Sequence, residues 1–320
     1  MLVCLKLNQP QDNYMRRLNI LAYIIGALIF ALYLYGINQF RASDPTRFIF
    51  LLLLPIVPSV ILLFRMYQKR RKRRQALARP FPENWRKLLE AQVVFYQKLN
   101  AKERIRFEKA IQDFLYDTSV TGVGTEVDDI TCVLVAASAV IPIFGFPVWR
   151  YRNLQEVLIY PGRFNGDNYQ QQGEGRDTLG MVGTGAMSGK MILSKPALIN
   201  GFAKNSDGHN TGIHEFVHLL DGSDGDFDGI PHILDQKYIL PWLGLMHREM
   251  KRIQQGKSKL RPYGATNKAE FFAVASEFFF ERPDELRLHY PKLYELLKKI
   301  FQQDLRAQFS PAILRKIQQS

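Results

Sequence analysis

A five-residue motif, His214-Glu215-Phe216-Val217-His218, constrains the fold of this chain more than any other feature. Its apolar neighbours Ile213, Leu219 and Leu220 predict that the motif lies on a helix. Residues four apart share one face of a helix, so the two imidazoles can bind a single zinc ion. Glu215 then faces the open coordination position, where it can take a proton from the attacking water. The motif therefore predicts a zinc site with Glu215 as the general base.

A catalytic zinc ion needs a third protein ligand, and two glutamates downstream are the candidates. Glu270 and Glu277 are seven residues apart on one face of an apolar, helix-length run. Carboxylates on a core-facing side need a metal or a hydrogen-bonding partner. We expect Glu270 to be the ligand and Glu277 to orient a ligating histidine, and the spacing alone leaves this choice open.

Two further residues are candidates for supporting roles at this site. Tyr263 lies in a Pro-Tyr-Gly turn before the Glu270 helix, from which its hydroxyl can reach the oxyanion formed at an attacked carbonyl. An ordinary turn aromatic is the alternative interpretation of Tyr263. Asp221 follows His218 by three residues on the same helix face, which predicts a hydrogen bond to a ligating imidazole.

Together these motifs resemble the Mlc titration factor A family of zinc-dependent peptidases, a gluzincin group. The resemblance spans residues 80 to 285 and is carried by Trp85, Thr121-Gly-Val-Gly-Thr-Glu126, residues 133 to 137, residues 180 to 196, HEFVHLLD and YGATNKAEFFAVASEFF.

In that family the two motif histidines and a downstream glutamate bind zinc, and a tyrosine seven residues before that glutamate assists catalysis. The resemblance thus implies one zinc ion on His214, His218 and Glu270, with Glu215 as base and Tyr263 as the assisting residue. It settles the choice between the two glutamates. The implied fold is α+β and zincin-like.

The resemblance also implies two functions for the chain. The first is hydrolysis of peptide or protein substrates, with endopeptidase and exopeptidase activity, aminopeptidase included, left open. By resemblance, residues 181 to 194 would present a free strand edge to the substrate backbone. The second is a membrane-tethered regulatory binding protein whose zinc is mainly structural. It follows from the family's namesake, which sequesters a glucose-responsive transcriptional repressor.

Two uncharged apolar segments near the N-terminus predict a membrane hairpin. Residues 19–37 and 48–64 hold no charge over 19 and 17 residues, lengths near those needed for spanning helices. A signal peptide is the alternative for the first segment, but a second apolar segment follows it and no small-residue cleavage site does. Buried core helices are the alternative for both. The hairpin departs from the soluble pattern of the family's namesake.

Basic residues around these segments predict their orientation. Three bases precede residue 19 and eight lie at residues 65–79, against two in the loop at 38–47. This asymmetry places both ends of the hairpin in the cytoplasm. We therefore expect a multi-pass protein of the inner (cytoplasmic) membrane whose catalytic domain faces the cytoplasm. The predicted domains are a cytoplasmic segment at 1–18, the hairpin at 19–64, a basic juxtamembrane linker at 65–80 and the metallopeptidase domain at 81–320.

The basic run at 65–79 also explains most of the net charge. Removing its eight positive charges from the total of +13 leaves +5. We expect this run to bind anionic lipid headgroups, with a pure topology signal as the alternative. Nucleic-acid binding is not expected, because aromatic residues are not interleaved with the bases and no nucleic-acid module is present.

The segment from Asp224 to Asp235 partly matches the sequence pattern of a calcium-binding loop. Aspartates or glycine stand at positions 1, 3, 5, 6 and 12 of an EF-hand pattern, but position 12 is aspartate and Pro231 interrupts the loop. We favour a solvated acidic turn over a calcium site.

Local patterns predict the remaining elements. Helices are expected over 81–116 with a break near Asn100, over 129–141 and, at the active site, from a cap at Asn210 or Thr211 to about Leu220. Strands are expected at 157–160 and 190–194, and C-terminal helices around 293–301 and 311–317.

Overall fold

The computed structural model describes residues 28, 30–32, 35, 56–147, 149–151, 153–166, 170, 178–183, 187–203 and 208–305. Within these ranges, no helix combines the length and the apolar character needed to cross a bilayer. The predicted span at 19–37 and the first part of that at 48–64 fall largely outside the described residues, as does the predicted helix at 311–317. The membrane hairpin therefore stays a prediction.

The chain divides into two compact units, one from Gln9 to Pro80 and one that contains Phe81–Ser320. In the first unit, helix α1 (Ile56–Leu77) runs through most of the predicted linker. Its beginning carries exposed apolar side chains from Val60 to Phe64, and its second half carries the basic run. The helix thus joins an apolar end to a strongly basic end without a break.

The second unit is helical around one small sheet, which agrees with the expected α+β class. Its helices are α2 (Glu83–Gln92), α3 (Val94–Gln97), α4 (Ala101–Asp117), α5 (Asp129–Ile143), α6 (Lys195–Gly201), α7 (Thr211–Asp221), α8 (Gln236–Gln254), α9 (Lys268–Glu281), α10 (Pro283–His289) and α11 (Pro291–Phe301). A 3₁₀ turn, Pro262–Ala265, precedes α9.

The sheet has the strand order β1-β2-β4-β3 and is mixed. Its strands are β1 (Ser119–Gly122), β2 (Glu156–Tyr160), β3 (Gly180–Val182) and β4 (Lys190–Ser194). The strands β1, β2 and β4 run parallel to one another. The strand β3 runs antiparallel to β4, with Met181 opposite Ile192. The strand β3 is therefore an edge strand, and it lies beside α7.

The helix α7 is fixed by its caps and by close packing. Asn210 accepts a hydrogen bond from the Ile213 N–H at 3.0 Å, which begins the helix where the sequence predicts it. Phe216 is fully buried and contacts the rings of Phe114 and Tyr151. Gly212 allows α5 to approach, because a Cβ there would lie 2.1 Å from the Ser138 hydroxyl. One face of α7 is thus buried in the core, which leaves the histidine face for the site.

Two helix boundaries differ from the sequence-based expectation. The break at Asn100 is present and forms a capping box with Glu103, but a second break at Val93 separates α2 from α3. Helix α5 ends at Ile143 and not at Ile141, so Pro142 lies inside its last turn. The Gln303 side chain donates to the Ile141 carbonyl at 2.9 Å, and this distant contact stabilises the extended end.

Candidate metal centre

Three side chains from two helices converge on one point. His214 and His218 of α7 have their Nε2 atoms 3.1 Å apart, and Glu270 Oε2 of α9 lies 3.0 Å from the first and 3.4 Å from the second. Asn267 caps α9 by accepting from the Glu270 N–H at 2.9 Å, which fixes Glu270 in the first turn. Among the described residues, this is the one group of three or more such side chains with its ligand atoms all within 4.8 Å of one another.

The distances in this cluster fit a single metal ion. In a tetrahedral site with bonds of about 2.0 to 2.1 Å, neighbouring ligand atoms are about 3.3 Å apart. The three observed separations, 3.0 to 3.4 Å, bracket that value. The donor set of two imidazoles and one carboxylate is also one that zinc uses in three-ligand catalytic sites.

A buried carboxylate orients the first histidine. Glu277 is almost fully buried, and its Oε1 lies 2.6 Å from His214 Nδ1. Because an ionised carboxylate only accepts hydrogen bonds, Nδ1 carries a proton, and in the neutral form of the ring that binds a metal the lone pair of Nε2 faces the cluster.

Glu277 is held by donors from two further segments. The Asn210 N–H donates to Oε2 at 2.7 Å, and the Arg261 guanidinium donates to Oε1. Arg261 precedes the 3₁₀ turn that carries Tyr263. No local sequence pattern indicates Arg261, because its contact with Glu277 spans 16 residues of chain.

The charges around the cluster favour a divalent cation. Three carboxyl groups, those of Glu215, Glu270 and Glu277, surround the two imidazoles, and the Arg261 guanidinium pairs with Glu277. Burial alone would lower the pKa of His214, but Glu277 and Glu270 outweigh it and raise the pKa to about 10. The surroundings thus stabilise positive charge at this point, and the residues present fit a bound metal.

The pKa of Glu270 is lowered, whereas that of His214 is raised. Burial alone would raise it, but the hydrogen bonds and charge of His214 and His218 outweigh burial and hold the pKa well below its usual range. Glu270 is therefore ionised at neutral pH, as a metal ligand must be.

Glu215 lies on the same helix turn and is buried against the edge strand. A Cβ on Gly180 would lie 2.6 Å from Glu215 Cγ and 2.7 Å from its Oε1, so only glycine fits at that position in β3. Burial raises the pKa of the Glu215 carboxyl, opposed by the two imidazoles. A raised pKa makes this carboxylate a stronger base than an exposed glutamate.

Tyr263 is placed at the rim of the cluster. Its side chain is 50% exposed, and its ring centroid is 6.0 Å from that of His214. Burial of its other half and the negative charge of Glu270 raise the pKa of Tyr263 to about 12. The hydroxyl therefore keeps its proton at neutral pH and can donate a hydrogen bond.

Asp221 is brought near the site but makes a different contact from the predicted one. It is fully buried, and its Oδ2 accepts from the Gly229 N–H at 3.0 Å. Its Oδ1 has no hydrogen-bond partner among the described residues, so neither oxygen bonds to an imidazole there. Burial raises the pKa of Asp221 to about 7.

The acidic turn after α7 has no converging carboxylates. Asp224 and Asp228 each accept from a backbone N–H two residues further on, at 3.2 and 2.9 Å, and Asp235 forms an ion pair with Lys237. These are the contacts of Asx turns. Over residues 224–235, all of which are described, the side chains form no cluster of the kind that holds calcium.

The metal-ligand cluster opens into a cleft of about 610 Å³. The strand β3 lines this cleft with Gly180, Met181 and Val182, and the turn after α7 contributes Phe227. Fold and site together define a metallopeptidase-like protein with two histidines and one glutamate as its metal-ligand set.

Comparison with known proteins agrees with this class. The family model described as "Glucose-regulated metallo-peptidase M90" matches residues 67–302, and the chain belongs to this family. The chain is 31% identical over 242 residues to the uncharacterized protein slr2042 of Synechocystis sp., which covers 72% of this chain and 87% of that protein.

Two relatives carry a functional name. Mlc titration factor A of Salmonella agona is 29% identical over 223 residues, covering 64% of this chain and 81% of that protein. Mlc titration factor A of Pectobacterium atrosepticum is 30% identical over 180 residues, covering 51% of this chain and 65% of that protein. The predicted family resemblance is thereby confirmed.

Proposed function

We propose that this chain is a zinc-dependent peptidase held at the cytoplasmic face of the inner membrane. The observation that carries the proposal is the buried carboxylate of Glu215 beside a three-ligand cluster, all opening into one cleft. A purely structural metal site has no use for such a carboxylate. His214, His218 and Glu270 would hold one zinc ion, which when bound supplies a Lewis acid that polarises a carbonyl and lowers the pKa of water.

The chain's own residues would perform the proton transfers. The Glu215 carboxylate accepts a proton from the attacking water and then delivers it to the nitrogen of the leaving amine. The Tyr263 hydroxyl donates a hydrogen bond to the oxygen of the attacked carbonyl, where negative charge develops. Gly180 leaves the space that the Glu215 side chain occupies, because a Cβ there would lie 2.6 Å from Glu215 Cγ.

The edge strand β3 would bind the substrate backbone. Gly183 N donates to Lys190 O and Ser194 N donates to Leu179 O, so the alternating pattern turns the backbone groups of Gly180 and Val182 away from β4. An extended peptide can pair with these groups inside the cleft. This mode supplies affinity from the main chain and leaves sequence preference to side-chain contacts.

The test of the proposal is hydrolysis of a mixed set of fluorogenic peptides by the purified full-length chain. We expect cleavage by the zinc-loaded chain, loss of cleavage after treatment with a chelator, and recovery when zinc is returned. Cleavage that persists in the fully metal-free chain would contradict a role for zinc.

Arg261 should control metal affinity through Glu277. Replacing it with methionine leaves the buried Glu277 carboxylate without its cation and loosens His214, so we expect zinc affinity to fall about 10- to 100-fold. Arg261→Lys keeps the charge and should recover part of the affinity. The measurement is competition for zinc against a fluorescent chelator.

A matched control is available for Arg261. Arg252 also pairs with a buried glutamate, Glu249, at 3.2 Å, but not with Glu277. Arg252→Met should leave zinc affinity unchanged. Equal losses in the two methionine variants would show a general effect on stability and contradict the positioning role.

Attachment to the membrane is supported by α1. Its exposed apolar side chains and its basic run suit a helix that enters the bilayer and meets anionic headgroups. We expect the full-length chain to stay in the membrane pellet after extraction with alkaline carbonate. Release into the supernatant would contradict the proposed hairpin.

A second candidate function is binding of a transcriptional regulator, with zinc mainly structural. The observation that favours it is the name of the relatives, Mlc titration factor A, which points to titration of a factor called Mlc by those proteins. A pull-down with the zinc-loaded Glu215→Gln chain separates the candidates. A regulator retained equally by this variant, together with wild-type protein that cleaves no peptide, would favour binding over catalysis.

A further inference from the structure

An aromatic side chain stands exposed in the cleft beside the metal centre. Phe227 is 46% exposed, although the turn that carries it is otherwise acidic. Met181 and Val182 of β3 line the same cleft and are partly exposed. Ligand sites are typically lined by apolar and aromatic side chains with a few polar groups, and this part of the cleft has that composition.

The Phe227 ring packs against the glycine that ends α7. Gly222 has φ −74° and ψ 17°, a conformation that any residue can adopt. A Cβ on Gly222 would lie 2.3 Å from Phe227 Cζ, so a larger residue there would push the ring aside. The ring is therefore seated against the helix end, one turn beyond His218, which places it within the cleft.

We propose that Phe227, together with Val182, forms a subsite for an apolar side chain of a peptide. Val182 lies on the same face of β3 as Gly180, which faces Glu215 of α7, whereas Met181 packs on the opposite face with Tyr160 and Phe164. The proposal rests on the proposed peptidase function and names its substrate class. A peptide paired with β3 would run past Met181 and Val182, and the Phe227 ring supplies an apolar surface that a leucine-sized or aromatic side chain can cover. Burying these surfaces together removes apolar area from water, which favours apolar side chains over polar ones of similar size.

A basic side chain is the competing occupant of this subsite. Asp228 also lines the cleft and carries a negative charge next to Phe227. One of its oxygens already accepts from the Ile230 N–H at 2.9 Å. The apolar surface comes from Phe227 and Val182, on two separate segments, and for this reason we favour an apolar side chain.

The test measures peptide binding and not turnover. Zinc-loaded full-length Glu215→Gln protein is titrated with fluorescein-labelled hexapeptides that differ at one position only, with leucine, asparagine or lysine at each position in turn. We expect one position at which leucine binds at least about tenfold more tightly than asparagine, the scale of discrimination by an apolar pocket. The Phe227→Ala substitution should remove most of this preference, and Phe227→Leu should retain it.

Two further variants complete the design. Gly222→Ala should displace the ring and weaken the same preference without touching Phe227. Leu240→Ala is the matched control, because Leu240 is a 79% exposed apolar residue of α8 that does not line the cleft. It should leave the preference unchanged.

Three results would overturn the subsite: no preference for leucine at any position, the same preference in Phe227→Ala, or tighter binding of lysine than of leucine. Its failure is distinguishable from failure of the proposed function. Wild-type protein that cleaves peptides without a leucine preference would retain the peptidase and remove the subsite. Leucine-selective binding without cleavage by the wild type would retain the subsite and remove the peptidase.

Discussion

Glu215→Gln is expected to lower the rate of peptide hydrolysis by about 10² to 10⁴-fold, the usual contribution of a general base. Glutamine has the same shape, so it fits the space beside Gly180, but its amide cannot accept the proton of the attacking water. The measurement is kcat/KM for a cleaved fluorogenic peptide at neutral pH. At about 1.4 kcal/mol per factor of ten, the expected loss of transition-state stabilisation is roughly 3 to 5 kcal/mol.

The controls for this variant separate chemistry from folding. We expect Glu215→Gln to bind one zinc ion per chain, because the three ligands are untouched. Its thermal midpoint in the presence of zinc should match that of the wild type. A zinc-loaded variant with the wild-type rate would show that Glu215 is not the base.

Removal of the third ligand should abolish metal-linked stability. Zinc at 100 times its Kd stabilises a folded protein by about 2.7 kcal/mol, which moves the thermal midpoint of a domain of this size by several degrees. We expect this shift in the wild type and its absence in Glu270→Ala. The loss of zinc affinity should exceed the roughly 100-fold effect of losing an orienting residue, because Glu270 is itself one of the three side chains of the cluster.

Glu295→Ala is the control for Glu270→Ala. Glu295 is a glutamate of α11 outside the cluster, paired with Lys298 at 3.9 Å. Its removal should leave the zinc-induced shift intact. A full zinc shift in Glu270→Ala would mean that the metal is held elsewhere.

The parts of this fold that follow from sequence are those with local signals. Asn210 and Asn100 cap their helices because short polar side chains accept from backbone N–H groups three residues on, a pattern visible in the sequence. The pairing of His214 with His218 is likewise a property of one helix. The choice of Glu270 over Glu277 as the metal ligand required the family resemblance, since both glutamates lie on the same face of α9.

The parts that do not follow depend on contacts distant in sequence. Arg261 reaches Glu277 across 16 residues, and Gln303 reaches the end of α5 from more than 160 residues away. Asp221 shows that correct helical spacing does not by itself predict a partner, because its Oδ2 accepts from the Gly229 N–H, eight residues further along the chain.

The central claim is that one metal ion on His214, His218 and Glu270 makes this chain a peptidase. It is tested most directly by adding zinc stepwise to the metal-free full-length chain while peptide hydrolysis and bound zinc are measured in the same sample. The account predicts that the rate rises in proportion to bound zinc and reaches its plateau at one ion per chain. One bound zinc per chain with no hydrolysis of any peptide in the set would contradict it.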